Sequence, residues 1–242
     1  MISQLAVTQA GRVTVLTMTR PESGNRGTQQ MGEELTAALD AARRDRSVTG
    51  CVLTGYGDVF CLGGEYWGAG PATAGRMEFG RAHIDLLDAM ARLGKPLVAA
   101  VNGNAHAGGF SLVVACDLAY VANDATMGLP EATAGLFPFL ALAIVRNDLP
   151  KKVLFDIVYN ARLIDAQEAC DLYLANAALP RADVLACAIA AVERANARNP
   201  DILMLGRDLY HAMRGLNPTE AIDQARFALG AALGARDERG AG

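Results

Sequence analysis

The sequence predicts an α/β fold. Two patterns carry that expectation: short apolar runs suited to buried strands alternate with longer segments of helical period, and roughly the last hundred residues are nearly all helix. Taken in order, Gln4 to Gln9 and Arg12 to Thr17 are expected strands, joined by a hairpin turn at Ala10-Gly11. Met31 to Arg43 repeats apolar residues at helical spacing (Met31, Leu35, Ala38, Leu39, Ala42). Gly50 to Thr54 is a short buried strand. Gly55 to Gly70 carries glycines at 55, 57, 63, 64, 68 and 70, too many for a regular element, and is expected to be loop. Met77 to Leu93 is a second amphipathic helix, stopped by Gly94-Lys95-Pro96. Leu97 to Asn102 is a buried strand, Gly103 to Ala107 a turn, Gly108 to Ala115 an apolar helix and Leu118 to Ala122 a strand. Further helices are expected around Phe139 to Arg146, Lys151 to Val158, Ala166 to Tyr173, Val184 to Asn196 and Pro218 to Leu233, with turns at Asn199-Pro200 and Leu216-Asn217-Pro218. The tail from Ala235 to Gly242 is charged, glycine-containing and expected to fray.

Composition narrows the function. The chain has 242 residues, 52% hydrophobic and 20% charged, enough apolar material for one catalytic domain with a sizeable core. The net charge is −4 and no basic run suggests a nucleic acid or an anionic membrane. No stretch of 18 apolar residues predicts a membrane span, and the N-terminal segment lacks a basic region ahead of an apolar one, so no signal peptide is expected. Cys51, Cys61, Cys116, Cys170 and Cys187 form no CxxC pair and are expected to be reduced, buried thiols of a cytosolic protein. His83, His106 and His211 lie far apart, so no metal-ligand spacing exists.

Two glycine turns stand out. Phe60-Cys-Leu-Gly63-Gly64-Glu65 follows a strand and loop, and Asn102-Gly-Asn-Ala-His-Ala-Gly108-Gly109-Phe-Ser111 follows a strand and opens a helix. Glycine lets a backbone approach a ligand closely and aim its N–H outward, and a helix N-terminus adds partial positive charge. Two such N–H groups from separate turns can form an oxyanion hole. Taken singly, either turn is explained equally well by tight-turn geometry, and neither matches a nucleotide-binding glycine motif.

Arg20-Pro21, Val52-Leu-Thr-Gly55, Phe60-Cys-Leu-Gly-Gly-Glu65, Lys95-Pro96, Ala99-Ala-Val-Asn-Gly103, Gly108-Gly109, Ala115-Cys-Asp117 and Leu129-Pro-Glu131 fall in the order and spacing of the enoyl-CoA hydratase/isomerase (crotonase) superfamily. The chain resembles that family over about residues 20 to 180. The resemblance implies a spiral of ββα units: a core over 1–180, then a C-terminal helical region over 181–242 of the same domain through which family members form trimers or hexamers. It implies an acyl-CoA substrate, with coenzyme A entering only as part of the thioester and no separate cofactor. The backbone amides of Gly64 and Gly108 would hold the thioester oxygen, and Glu131 would shuttle the proton. Family hydratases carry a second glutamate where this chain has Ser111, and a serine is no base at neutral pH without activation. Hydration and one-base double-bond isomerisation therefore both stay open. So do a hydroxycinnamoyl-CoA-type hydratase-lyase, a carrier-protein-linked dehydratase or decarboxylase, and a catalytically reduced acyl-thioester binder. The lyase lacks support from a tyrosine, since Ala69 stands at that loop position. Cys61, Leu62, Glu65, His106 and Phe137 are candidates to line the substrate, with Glu65 expected to brace its loop and Asp117 to be structural. His83 is one residue out of step with a histidine that family dehalogenases use, so no chemistry is expected of it. Trp67 stands where the family often has a lysine. Arg20, Lys95, Lys151 and Lys152 are the candidate phosphate contacts.

Overall fold

The computed structural model describes residues 2–65, 80–197 and 199–240, with side chains as far as 234. Two sheets form the core. The first has six strands in the order β1 (Leu5–Ala10), β2 (Val13–Met18), β3 (Gly50–Gly55), β5 (Leu97–Val101), β7 (Leu118–Ala122) and β10 (Ala177–Leu179). Only the β1–β2 hairpin is antiparallel. The second sheet runs β4 (Val59–Cys61), β6 (Asn104–His106), β8 (Thr126–Gly128) and β9 (Leu163–Asp165). Each turn of the chain gives one strand to each sheet and then a helix. Strands β3 and β4 precede α2 (Arg81–Ala91), β5 and β6 precede α3 (Gly108–Ala115), and β7 and β8 precede α4 (Phe139–Val145). This is the expected spiral of ββα units.

Burial explains the long elements. Strand β3 is buried at every position: β2 and β5 flank its edges, with Val52 between Val15 and Val98, and α1 (Gln29–Arg44) and α7 (Arg181–Asn196) pack against it. Such two-sided burial gives a continuous apolar run rather than alternation. Helix α1 (Gln29–Arg44) begins where the Thr28 hydroxyl accepts from Met31 N–H at 3.1 Å, and it buries Met31, Leu35, Leu39 and Ala42. Helix α7 (Arg181–Asn196) packs Val184, Ala188, Ala191 and Val192 against the first sheet.

Several expectations are corrected. Residues 55–65 are not wholly loop, since β4 lies among them, and 103–107 is not a simple turn, since β6 does. The C-terminal hundred residues include β9 and β10. The helix expected at Ala166 to Tyr173 stops at Asp171, because Tyr173 sits at φ 60°, outside helical space. A helix not expected, α8 (Pro200–Ala212), follows Asn199, with α5 (Lys151–Tyr159), α6 (Ala166–Asp171) and α9 (Pro218–Gly240) completing the set. Helix α2 starts at Arg81. The expected start at Met77, and Trp67 and Ala69, lie outside the described residues. Of the five free cysteines, Cys51 and Cys61 are buried but Cys116, Cys170 and Cys187 are only partly so. Among the described residues no helix is long and apolar enough to cross a membrane.

Candidate active site

The first glycine turn is fixed by the segment 24–27. Leu62 N–H donates to Gly24 O at 2.9 Å, Gly27 N–H to Gly63 O at 2.8 Å, and Glu65 N–H to Gly27 O at 2.8 Å. Gly27 and Gly64 thus form a parallel bridge. In that pattern the neighbours of the bridged residue supply the hydrogen bonds, and its own N–H points to the far side. Gly64 N–H is therefore directed away from residues 24–27. Glu65 braces the turn: its carboxylate takes Arg20 Nη1 at 2.8 Å, and Arg20 also donates to Arg26 O at 2.9 Å. Asn25, fully buried, bonds Arg20 N–H and the carbonyls of Tyr56 and Val59.

The second turn is aimed by strain and by tight packing. Ala107 has φ 53°, a backbone conformation costing a non-glycine residue about 1–3 kcal/mol, and its N–H is tied to Gly128 O at 2.8 Å. The chain then enters α3 with Gly108, whose N–H is among the first of the helix and has no partner four residues back. A Cβ on Gly109 would lie 2.0 Å from Cys61 O, so only glycine lets α3 sit against the end of β4. That contact brings the turns together. A Cβ on Gly108 would lie 3.6 Å from Gly64 N and 3.7 Å from His83 Cε1. Gly64, Gly108 and the His83 ring thus border one gap.

Glu131 arrives from β8. Leu129 is buried, Pro130 opens a 3-10 turn over Pro130–Ala134, and Gly128 ties this strand to Ala107. Glu131 Oε2 is buried with no hydrogen-bond partner. Burial pushes its carboxyl above the usual range, against a smaller opposing effect of a backbone hydrogen bond. Ser111 is fully buried, its hydroxyl donating to Gly108 O at 2.7 Å and standing 3.4 Å from His83 Nε2. Burial holds the His83 imidazole below its usual pKa. Sequence reasoning set His83 aside. It lies 28 residues from Ser111, and only the fold brings the two together.

The other candidates take separate places. Burial pushes the Cys61 thiol up to about 11, and its Sγ lies 3.6 Å from Gly63 O. Leu62 packs on Gly24. His106 Nε2 meets Thr126 Oγ1 at 2.9 Å, joining β6 to β8, and burial followed by the Arg26 charge favours its neutral form. Phe137 packs on Phe139 with ring centroids 5.3 Å apart. Arg20 and Lys95 are committed within the fold, Lys95 to the carbonyls of Ala42 and Asp45. A separate cleft of about 440 Å³ opens among α2, α3 and α8, lined by Leu87, Val113, Cys116, Arg207 and His211 but by none of the residues around the gap.

A family model described as enoyl-CoA hydratase/isomerase matches residues 8–238. A putative enoyl-CoA hydratase of Thermus thermophilus is 32% identical over 224 residues, 91% of this chain and 88% of the relative. A carnitinyl-CoA dehydratase of Proteus mirabilis is 27% identical over 222 residues, 91% of this chain and 85% of the relative. The crystal structure of an enoyl-CoA hydratase of Mycobacterium smegmatis superposes with a TM-score of 0.90 at 25% identity, covering 95% of this chain and 91% of that one. The chain belongs to the enoyl-CoA hydratase/isomerase family.

Proposed function

We propose that the chain is an acyl-CoA enzyme that holds a thioester enolate between the Gly64 and Gly108 amides and moves a proton with Glu131. The observation that carries this proposal is the Glu131 carboxyl: Oε2 is buried and unpartnered, in the 3-10 turn that follows β8, whose Gly128 is tied to the turn that aims Gly108. Burial raises the pKa of this carboxyl, the direction that suits a group which must both take and return a proton. The two amides would bind the thioester oxygen as negative charge develops there, each contributing about 2.7–4 kcal/mol to the transition state. Glu131 would then remove or deliver the α-carbon proton, giving double-bond isomerisation or, with water, hydration. The Thermus and Proteus relatives, named as hydratase and dehydratase, support thioester chemistry of this kind. Coenzyme A would enter as part of the substrate. The free cysteines fit a cytoplasmic enzyme. Self-association into trimers or hexamers through the C-terminal helices completes the proposal.

Incubation in D₂O with 2-enoyl- and 3-enoyl-CoA esters, followed by product mass, tests it. Deuterium gain or water addition is expected, falling about 10²–10⁴-fold in Glu131→Gln. Binding without turnover in the wild type would replace the enzyme with an acyl-thioester binder. Turnover on carrier-protein thioesters alone would move the activity to that substrate class.

A further inference from the structure

Among the described residues, Ser111 is a fully buried hydroxyl beside the gap, and its single hydrogen is already engaged with Gly108 O at 2.7 Å. The Ser111 oxygen can still accept, so the tautomer with its hydrogen on His83 Nε2, 3.4 Å away, is the one that satisfies the pair, and it leaves the lone pair of the neutral ring on Nδ1. The separation is at the long end of hydrogen-bond reach. The chain Nε2–H to Oγ–H to the Gly108 carbonyl ends on an acceptor, so it would stabilise positive charge arriving on the imidazole. The Cε1 edge of the ring, flanked by both nitrogens, lies 3.7 Å from where a Gly108 Cβ would stand, and that same point is 3.6 Å from Gly64 N. An imidazole thus borders the space between the two amides, and among the described residues it adds to Ser111 a group able to accept a proton at neutral pH.

We propose that His83 is a second proton-transfer group, activating the water that adds to a 2-enoyl thioester, with Ser111 as its positioning residue. The inference rests on the function proposed above. In the step, His83 Nδ1 takes a proton from water and the hydroxide oxygen bonds to C3. The C2–C3 π pair moves to make a C1–C2 double bond, and the carbonyl pair goes to the thioester oxygen. The enolate then collapses as protonated Glu131 gives its proton to C2. The imidazolium proton returns to Glu131 through solvent, so the net change is one water added across the double bond.

The experiment compares two readouts on wild type, His83→Ala, Ser111→Ala and Glu131→Gln. One is α-proton exchange of butyryl-CoA in D₂O, which uses the amides and Glu131 but no added water. The other is hydration of crotonyl-CoA. The ratio of hydration to exchange is expected to fall about 10²-fold or more in His83→Ala and less in Ser111→Ala. Free imidazole is expected to restore part of the hydration in His83→Ala and none in Glu131→Gln. An unchanged ratio in folded His83→Ala, or no rescue by imidazole, would overturn the role of His83 while leaving Glu131 chemistry intact. Absence of both reactions in the wild type would overturn the thioester enzyme itself, and the role of His83 with it.

Discussion

Gly108 and Gly109 are neighbours with opposite tolerances. A Cβ at Gly108 would make only ordinary van der Waals contacts, the nearest at 3.6 Å, and the φ of Gly108 is not positive. Alanine is the better helix residue by about 1 kcal/mol. Gly108→Ala should therefore keep the melting temperature of the wild type yet lower turnover about 10²–10³-fold, because its methyl intrudes between the two amides. Gly109→Ala should do the reverse in origin. Its methyl meets Cys61 O at 2.0 Å, so stability should fall by about 1–3 kcal/mol or more, and activity should fail with it. Thermal unfolding beside steady-state kinetics separates the two. Glu131 gives a pH test at the same scale. Its folded-state pKa is raised, so between the unfolded and folded pKa values the native state binds more protons, and stability falls as pH rises. Glu131→Gln removes that fall. The variant should gain on the wild type as pH rises from the ordinary carboxylate range through the raised folded-state pKa, read by denaturant melts across pH. A difference that does not change with pH would mean that the carboxyl is solvated.

At the scale of elements, Arg207 ties α8 to the body. It donates to both oxygens of Asp117 at 3.0 and 2.8 Å and to the carbonyls of Ala91 and Met90 at 2.9 and 2.8 Å. Those carbonyls belong to the last turn of α2, which leaves acceptors unpaired and favours a cation. Asp117 also accepts Leu97 N–H at the start of β5. The Arg207 side chain is only 10% exposed, so removing it strands partners that water reaches poorly. Arg207→Ala should cost about 3 kcal/mol, and Arg207→Lys should recover little, since an ammonium cannot reproduce the fork. Denaturant titration checks both. Asp117 is expected from the sequence to be structural, as a residue after a buried strand; the element before it is helix α3, and its role comes from its bonds to Leu97 N–H and Arg207. Strands β3, β5 and β7 were legible as apolar runs of five or six residues, α1 by its helical period and α3 as an apolar helix. The three-residue strands were not, because pairing partners define them and three residues show no period. Helix α8 did carry a start signal: Asn199 caps Ile202 N–H ahead of Pro200. The glycine turns were legible as a pair only through their common order with a family. The meeting of His83 with Ser111 has no local pattern, and only packing of α2 on α3 produces it.

At the scale of the whole molecule, the spiral buries its own sheets but leaves the C-terminal helices uncovered. Among the described residues α8 has no fully buried residue, although its Arg207 side chain is only 10% exposed. Helix α9 starts with a capping box, Glu220 N–H to Asn217 Oδ1 at 3.0 Å and Asn217 N–H to Glu220 Oε2 at 3.3 Å, so its beginning is encoded locally. Its apolar residues then face outward: Ile222 is 67% exposed, Phe227 71%, Leu229 60% and Leu233 51%. Ile222, Leu229 and Leu233 share one stripe by helical spacing, the arrangement a helix uses to meet a partner. An apolar stripe of this length left in water favours association, and a stable interface buries at least about 1,000 Å². Light scattering at micromolar concentration is therefore expected to give three or six chains per particle. The double substitution Leu229→Asp with Leu233→Asp should lower that mass without unfolding the α/β core, because neither side chain belongs to it. A wild-type chain that stays monomeric at those concentrations would show that α9 needs no second copy, and the proposed assembly would fall.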